Sequence, residues 1–113
     1  QTLSERFFVR GCKFGVAIAC TNRAAFLLNA NITAQATVKC AADTFEKTCE
    51  WNDAWGCVMF ATMLSRGLGR PQNVDLAIKV LAKACNNGPD SESCKDGKEL
   101  LKELQEQKTK NKE

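Results

Sequence analysis

The chain of 113 residues contains no histidine, no tyrosine and only two prolines. Histidine is the side chain most often used as a general base and as a metal ligand. No serine lies in a nucleophile elbow, and no two carboxylates form a recognisable catalytic pair. Asp53 and Asp75 are better explained as a capping residue and a first-turn residue of helices. The sequence therefore predicts a protein that is not an enzyme and needs no cofactor or metal.

Long apolar runs and strong charge asymmetry are also missing. The apolar segments at 15–20 and 24–28 are separated by Thr21, Asn22 and Arg23, and neither approaches the roughly 18 residues of a membrane-spanning helix. The net charge is +3 and the cations are spread along the chain, whereas nucleic-acid-binding domains carry a basic patch or stripe. We therefore expect no membrane span and no nucleic-acid partner.

Seven cysteines are the strongest compositional signal. Zinc sites commonly use closely spaced cysteine pairs together with histidine or further pairs, and redox enzymes commonly use C-x-x-C. Neither pattern occurs in this chain. The cysteines therefore favour disulfides over reduced core thiols or a metal site. Disulfides persist in oxidising places such as the secretory pathway or a bacterial periplasm.

The cysteines recur with a period of about 37 residues, which is in the range of helical repeat proteins. Cys20, Cys57 and Cys94 are 37 residues apart, and Cys12, Cys49 and Cys85 are 37 and 36 apart. Pairing within each unit predicts the disulfides Cys12–Cys20, Cys49–Cys57 and Cys85–Cys94. Cys40 is left over. Because Leu76 occupies its place one period later, a buried thiol is favoured over a reactive thiol or an intermolecular bridge.

Apolar residues at helical spacing run through the whole chain, and no segment has the pattern of a strand. Helices are predicted over 2–12, 16–28 and the segments that follow, with Thr33, Asp53 and Asn73 as N-caps. Gly67, Gly69 and Pro71 interrupt the chain between two of them. We expect an all-α fold, an α-solenoid of about three stacked antiparallel helix pairs cross-linked by disulfides. The repeat domain is expected over 1–105, followed by a polar, frayed tail at 106–113.

Two pairs of large side chains lie near the middle of the chain. Trp51 and Trp55 are one helical turn apart beside a cysteine pair. Packing in the core is favoured for them over a partner-binding role, although tryptophan is common at the centre of interfaces. Met59 and Met63 are likewise interpreted as core residues and not as copper ligands.

The stretch LSRGLGRPQNVDLAIKVLAKAC resembles the Sel1-like repeat, a helix ending in Gly-x-Gly, a short link and a helix ending in Lys-Ala-Cys. The matching positions are Gly67, Gly69, Pro71, Asp75, Ala77, Lys83, Ala84 and Cys85. The following NNGPDSESC resembles the family's return to a second cysteine. The resemblance implies protein–protein contact through a concave surface and no conserved reaction. It also implies disulfides that bridge helices, as in the cysteine-rich branch of the family.

That branch includes an intermembrane-space factor of cytochrome c oxidase assembly and secreted bacterial cysteine-rich proteins. The hypothesis that follows is a protein–protein interaction scaffold in the mitochondrial intermembrane space, a subunit or assembly factor of a respiratory-chain complex whose partners are other subunits. The alternative is a secreted or periplasmic bacterial protein that binds host or envelope partners. Because the chain begins with Gln1, we expect a processed or truncated terminus, and no targeting segment is read from it.

Overall fold

The computed structural model describes residues 17–30 and 34–111, and over these residues the fold is all-α, as predicted. Five α-helices follow one another: α1 (Ala17–Ala30), α2 (Gln35–Glu50), α3 (Ala54–Arg66), α4 (Val74–Val80) and α5 (Glu92–Asn111). A 3-10 turn, Leu81–Lys83, continues α4. The helix predicted over 2–12 lies outside the described residues. None of the described helices is both long enough and apolar enough to cross a membrane.

Local sequence sets the ends of the central helices. Asp53 caps α3, where its Oδ2 accepts a hydrogen bond of 3.2 Å from the Gly56 N–H. Asn73 caps α4 in the same way, and its Oδ1 accepts from the Leu76 N–H at 3.0 Å. Gly67 ends α3 with φ +68°, a left-handed conformation that glycine adopts without steric cost. Ala34 holds the N-cap position of α2 without a side-chain hydrogen bond, and the predicted cap Thr33 lies outside the described residues.

Helix α3 is the centre of the molecule, because it contacts every other described helix. Small side chains allow its neighbours to approach closely, since Ala41, Ala42, Ala61 and Ala77 are completely buried. The largest fully buried side chains of the core are Phe45 and Met63. Neighbouring helices in the chain are also neighbours in space, as expected where connections are short.

The loop between α3 and α4 lies directly on α2. A Cβ atom at Gly69 would stand 2.8 Å from the Val38 carbonyl oxygen and 2.9 Å from Ala42 Cβ. The same residue has φ +73°. Glycine is therefore required at this position twice over, for the close approach and for the backbone conformation.

The last helix is longer than the sequence suggested. The tail expected to fray after residue 105 continues as helix to Asn111. Its polar composition misled the prediction, because glutamine, glutamate and lysine are good helix formers. Lys108 and Lys110 lie in the last turn, where cations interact favourably with the helix dipole. Lys108 Nζ also lies 2.6 Å from Asp75 Oδ1, which ties this end of α5 to α4.

The two disulfide-linked hairpins, α2–α3 and α4–α5, are built alike. In each, the residue before the first cysteine touches the residue before the second. In the first hairpin the pair is large against small, since a Cβ on Gly56 would overlap Thr48 Oγ1. In the second hairpin Ser93 Oγ donates to the Ala84 carbonyl at 3.0 Å, and the Ala84 side chain lies where a Cβ on Gly97 would overlap it. In both hairpins the disulfide is therefore accompanied by a contact between the residues that precede its two cysteines.

Candidate functional site

The disulfides lie where consecutive helices meet. Cys49–Cys57 joins the end of α2 to the start of α3, and Cys85–Cys94 joins the segment after α4 to the start of α5. Cys20 is also disulfide-bonded, and its predicted partner Cys12 lies outside the described residues. Cys40 carries a buried thiol, 3% exposed. Over 17–30 and 34–111, no group of three or more histidine, cysteine or acidic side chains could hold a metal ion.

A buried polar cluster fixes three helices beside the first of these disulfides. Thr21 Oγ1 on α1 donates to Asp53 Oδ2 at 2.5 Å and lies 2.8 Å from Thr48 Oγ1 on α2. The same carboxylate caps α3. Thr21 and Thr48 are fully buried and Asp53 is nearly so. Because their hydrogen bonds are satisfied within the protein, these groups stabilise one arrangement of α1, α2 and α3.

A second polar cluster holds the α3–α4 loop to the surface of α2. The Arg70 guanidinium donates to Glu46 at 2.7 and 2.8 Å and to Asp43 at 2.8 Å. Its Cζ also lies 5.3 Å from the centre of the Phe60 ring, within the range of a cation–π interaction. A planar guanidinium suits this two-carboxylate site better than an ammonium group does.

This cluster shifts the pKa values of its members. Hydrogen bonding from Arg70 lowers the pKa of Glu46 below its ordinary value and exceeds the opposing effect of burial. Burial alone would raise the pKa of Asp43, but hydrogen bonds from Arg70 and Lys39 together outweigh it and lower that pKa. Hydrogen bonding to Glu46 raises the pKa of Arg70. All three groups are therefore charged at neutral pH.

Beside the Arg70 cluster, a groove of about 310 Å³ lies between α2 and α4, above α3. Its floor is apolar: Phe60 from α3, Leu76 and Val80 from α4, and Cys49 of the disulfide. Leu76 is 38% exposed and is one of three large apolar side chains, with Phe26 and Trp51, that the described residues present to solvent. An apolar depression of this kind is the usual form of a binding site.

Charges of opposite sign border the groove. The acidic rim is Glu46 and Glu50 on α2, and the basic rim is Lys79 and Lys83 on α4 and its 3-10 continuation. Glu50, Lys79 and Lys83 are exposed. Among the residues that the structure describes, no ion pair joins one rim to the other. These three charges are therefore available to a partner.

The two tryptophans lie elsewhere. Trp55 is half-buried and packs against the core, in agreement with the interpretation made from its spacing. Trp51 is 44% exposed, so its assignment to the core is wrong. It follows the last residue of α2, and its backbone is in the C-cap position. Neither tryptophan is among the described residues that line the groove.

Sequence reasoning missed the groove and the Arg70 cluster. Leu76 was interpreted only as the apolar counterpart of the buried Cys40, whereas it is 38% exposed, and Val80 was given no role. These two residues are four positions apart and therefore form a second stripe on another face of the helix. A helix with apolar residues on two faces is a signal of a second contact surface.

No protein-family model matches this chain, and the comparisons found neither a curated protein nor a solved structure similar to it. The fold and the site by themselves define a disulfide-linked, all-α protein with an apolar surface groove between charged rims.

Proposed function

We propose that the chain is a non-catalytic scaffold for protein–protein interaction and that its partner binds in the groove. The observation that carries the proposal is the apolar floor around the exposed Leu76, bordered by Glu50, Lys79 and Lys83, whose charges are not paired across the groove. Interfaces combine an apolar centre with a polar rim in this way. The architecture we propose for the whole chain is a Sel1-like α-solenoid, supported by the period of about 37 residues and by the like construction of the two hairpins.

The disulfides are compatible with an oxidising compartment. We place the protein in the mitochondrial intermembrane space, as a subunit or assembly factor of a respiratory-chain complex. The support for this choice is the resemblance of the segment around Gly67, Pro71 and Cys85 to the cysteine-rich Sel1-like branch. Its partners are then other protein subunits.

The proposal is tested by purifying the tagged protein from its own cells without reductant and measuring its mass in solution. We expect a stoichiometric complex well above the 12.4 kDa of this chain. Leu76→Asp should release the partner, because it puts a charge on the apolar floor. Phe26→Asp is the matched control, since Phe26 is 69% exposed on α1 and does not line the groove. A monomer in every case would contradict the proposal.

A further inference from the structure

The geometry points to an amphipathic α-helix as the partner in the groove, with an apolar stripe, basic side chains along one flank and acidic side chains along the other. This inference rests on the proposed function and specifies the chemistry of the partner. It follows from the shape of the floor and from the spacing and sign of the rim charges.

The floor fits the apolar stripe of a helix. The groove runs between two helices, α2 and α4, and its volume of about 310 Å³ accommodates a few apolar side chains. Leu76 and Val80 stand one turn apart along α4. A helix presents its own anchors at the same interval, at positions i, i+3, i+4 and i+7. The described part of the chain contains no strand and hence no sheet edge to which an extended peptide could add.

The rims repeat at the same interval. Glu46 and Glu50 are four residues apart, and so are Lys79 and Lys83. Four residues of α2 span about 6 Å, and Lys79 on α4 and Lys83 on its 3-10 continuation border the same groove, so charges spaced i, i+4 along each flank of a partner helix can reach both charges of the rim that they face. Basic residues would then face Glu46 and Glu50, and acidic residues would face Lys79 and Lys83.

The opposite signs of the rims also give the bound helix a direction. Turning the helix end for end would bring its basic flank to the lysines and its acidic flank to the glutamates. Like charges placed together cost binding energy. Arg70 keeps Glu46 ionised and fixed in place, so the acidic rim is preformed before the partner arrives.

Three synthetic helical peptides of about 20 residues, roughly 30 Å long, test this inference. All share one leucine stripe and differ only in the flanks: lysine on one and glutamate on the other, lysine on both, or glutamate on both. Binding of each labelled peptide to the full chain is measured by fluorescence anisotropy without reductant. We expect the mixed peptide to bind about five- to tenfold more tightly than either of the others, the sum of a few exposed ion pairs.

Reversing the charge of the basic rim should change the order in which the chain prefers the three peptides. In Lys79→Glu/Lys83→Glu both rims are acidic, so the all-lysine peptide should bind best. The matched control is Lys98→Glu/Lys102→Glu on α5, which changes the net charge equally at the same spacing and lies outside the groove lining. This control should leave the order as it is in the unaltered protein.

Other outcomes separate this inference from the proposed function. Equal affinity for the three peptides would overturn the inference of a helical partner with two charged flanks. So would an unchanged order of peptide affinities in the Lys79→Glu/Lys83→Glu variant. Either result would do so even if a native complex that depends on Leu76 is found. Self-association of the purified chain that Leu76→Asp abolishes would also overturn it, because the occupant would then be a second copy. If the protein purified from its own cells is a monomer, the proposed function itself is contradicted.

Discussion

At the scale of single residues, Arg70 does more than any other described surface side chain to order its surroundings. It connects the α3–α4 loop with two carboxylates of α2 and with the Phe60 ring. Its side chain is only 25% exposed, so its hydrogen bonds are less screened by water than those of a fully exposed ion pair. The same residue fixes Glu46 at the edge of the groove, and the loop geometry and the binding surface therefore depend on one guanidinium.

Arg70→Lys should destabilise the protein by about 1 kcal/mol at pH 7, a figure that allows for the partial exposure of both carboxylates. Folding lowers the pKa of Asp43 and Glu46 from ordinary values of 3.8 and 4.5. Their stabilising effect is therefore complete above these values and is lost as the pH falls through the lower folded-state pKa values. Urea unfolding should show that the difference in unfolding free energy between the two proteins shrinks below about pH 4.

Arg66→Lys is the control for this substitution. Arg66 is an exposed residue in the last turn of α3, and its replacement should change the free energy of unfolding by less than about 0.5 kcal/mol at every pH. If the unfolding free energy of Arg70→Lys differs from that of the unaltered protein by the same amount at pH 7 and at pH 3, the substitution acts through packing and not through charge.

At the scale of elements, each of the two hairpins brings the residue before its first cysteine against the residue before its second. In the first hairpin the Thr48 hydroxyl occupies the space beside Gly56, whereas in the second Ser93 Oγ bonds the Ala84 carbonyl and the Ala84 side chain packs on Gly97. Each pair lies beside its disulfide, where a short connection turns the chain back. If the hairpins are true repeats, the side chains of the second should be accepted by the first.

Gly56→Ser alone should cost about 2–3 kcal/mol, because its new Cβ overlaps the Thr48 hydroxyl. In a Thr48→Ala background the same change should cost about 1 kcal/mol less, because the hydroxyl that overlaps the new Cβ is gone while the close contacts with the Cβ of residue 48 and with the Cys49 nitrogen remain. Thr48→Ala by itself should cost about 1–2 kcal/mol through the hydrogen bond to Thr21 that it removes. Urea unfolding of the four proteins measures the coupling. An equal cost of Gly56→Ser in both backgrounds would contradict the equivalence of the hairpins.

The elements also show how far sequence reasoning reaches. The caps Asp53 and Asn73 and the stop at Gly67 could be predicted because a cap is determined by residues within one helical turn. The exposure of Trp51 and the groove around Leu76 could not, because they depend on how α2 and α4 lie on α3. The Arg70 cluster joins residues 24 and 27 positions apart in the chain, and no local pattern marks it. The helical segment up to Asn111 is consistent with the helix propensity of its glutamine, glutamate and lysine residues, although its polar composition resembles that of a frayed tail.

At the scale of the whole molecule, disulfides supply a large share of the stability. The two that the structure describes close loops with sequence separations of 8 and 9 residues, and each should contribute about 2.5 kcal/mol by restricting the unfolded chain. A small domain has a net stability of only about 5–15 kcal/mol. The described helices share one apolar core around α3, and the cross-links at the hairpins add to the stability of that core.

Cys40 provides a probe of this dependence. Its thiol is 3% exposed in the core, so alkylation requires the protein to open. Without reductant, native protein should label very slowly, and protein in denaturant should label at Cys40 alone, with Cys20 recovered in a peptide linked to Cys12. Reduction of one bridge worth about 2.5 kcal/mol should raise the native-state labelling rate of Cys40 roughly 50-fold or more, because the open state becomes that much more populated. Mass spectrometry of samples taken at timed intervals measures the labelling rate and identifies the labelled cysteine.

The control is Cys40→Ala, which should take up no label without reductant and so assigns the signal to one residue. A labelling rate of Cys40 that reduction leaves unchanged would mean that the thiol is reached by a local fluctuation and that the disulfides add little to global stability. Seven labelled cysteines in protein taken from its own cells would be a stronger contradiction. The chain would then be a reduced protein in its native setting, the argument for an oxidising compartment would fail, and an adaptor of a reducing compartment would be the better account of the same groove.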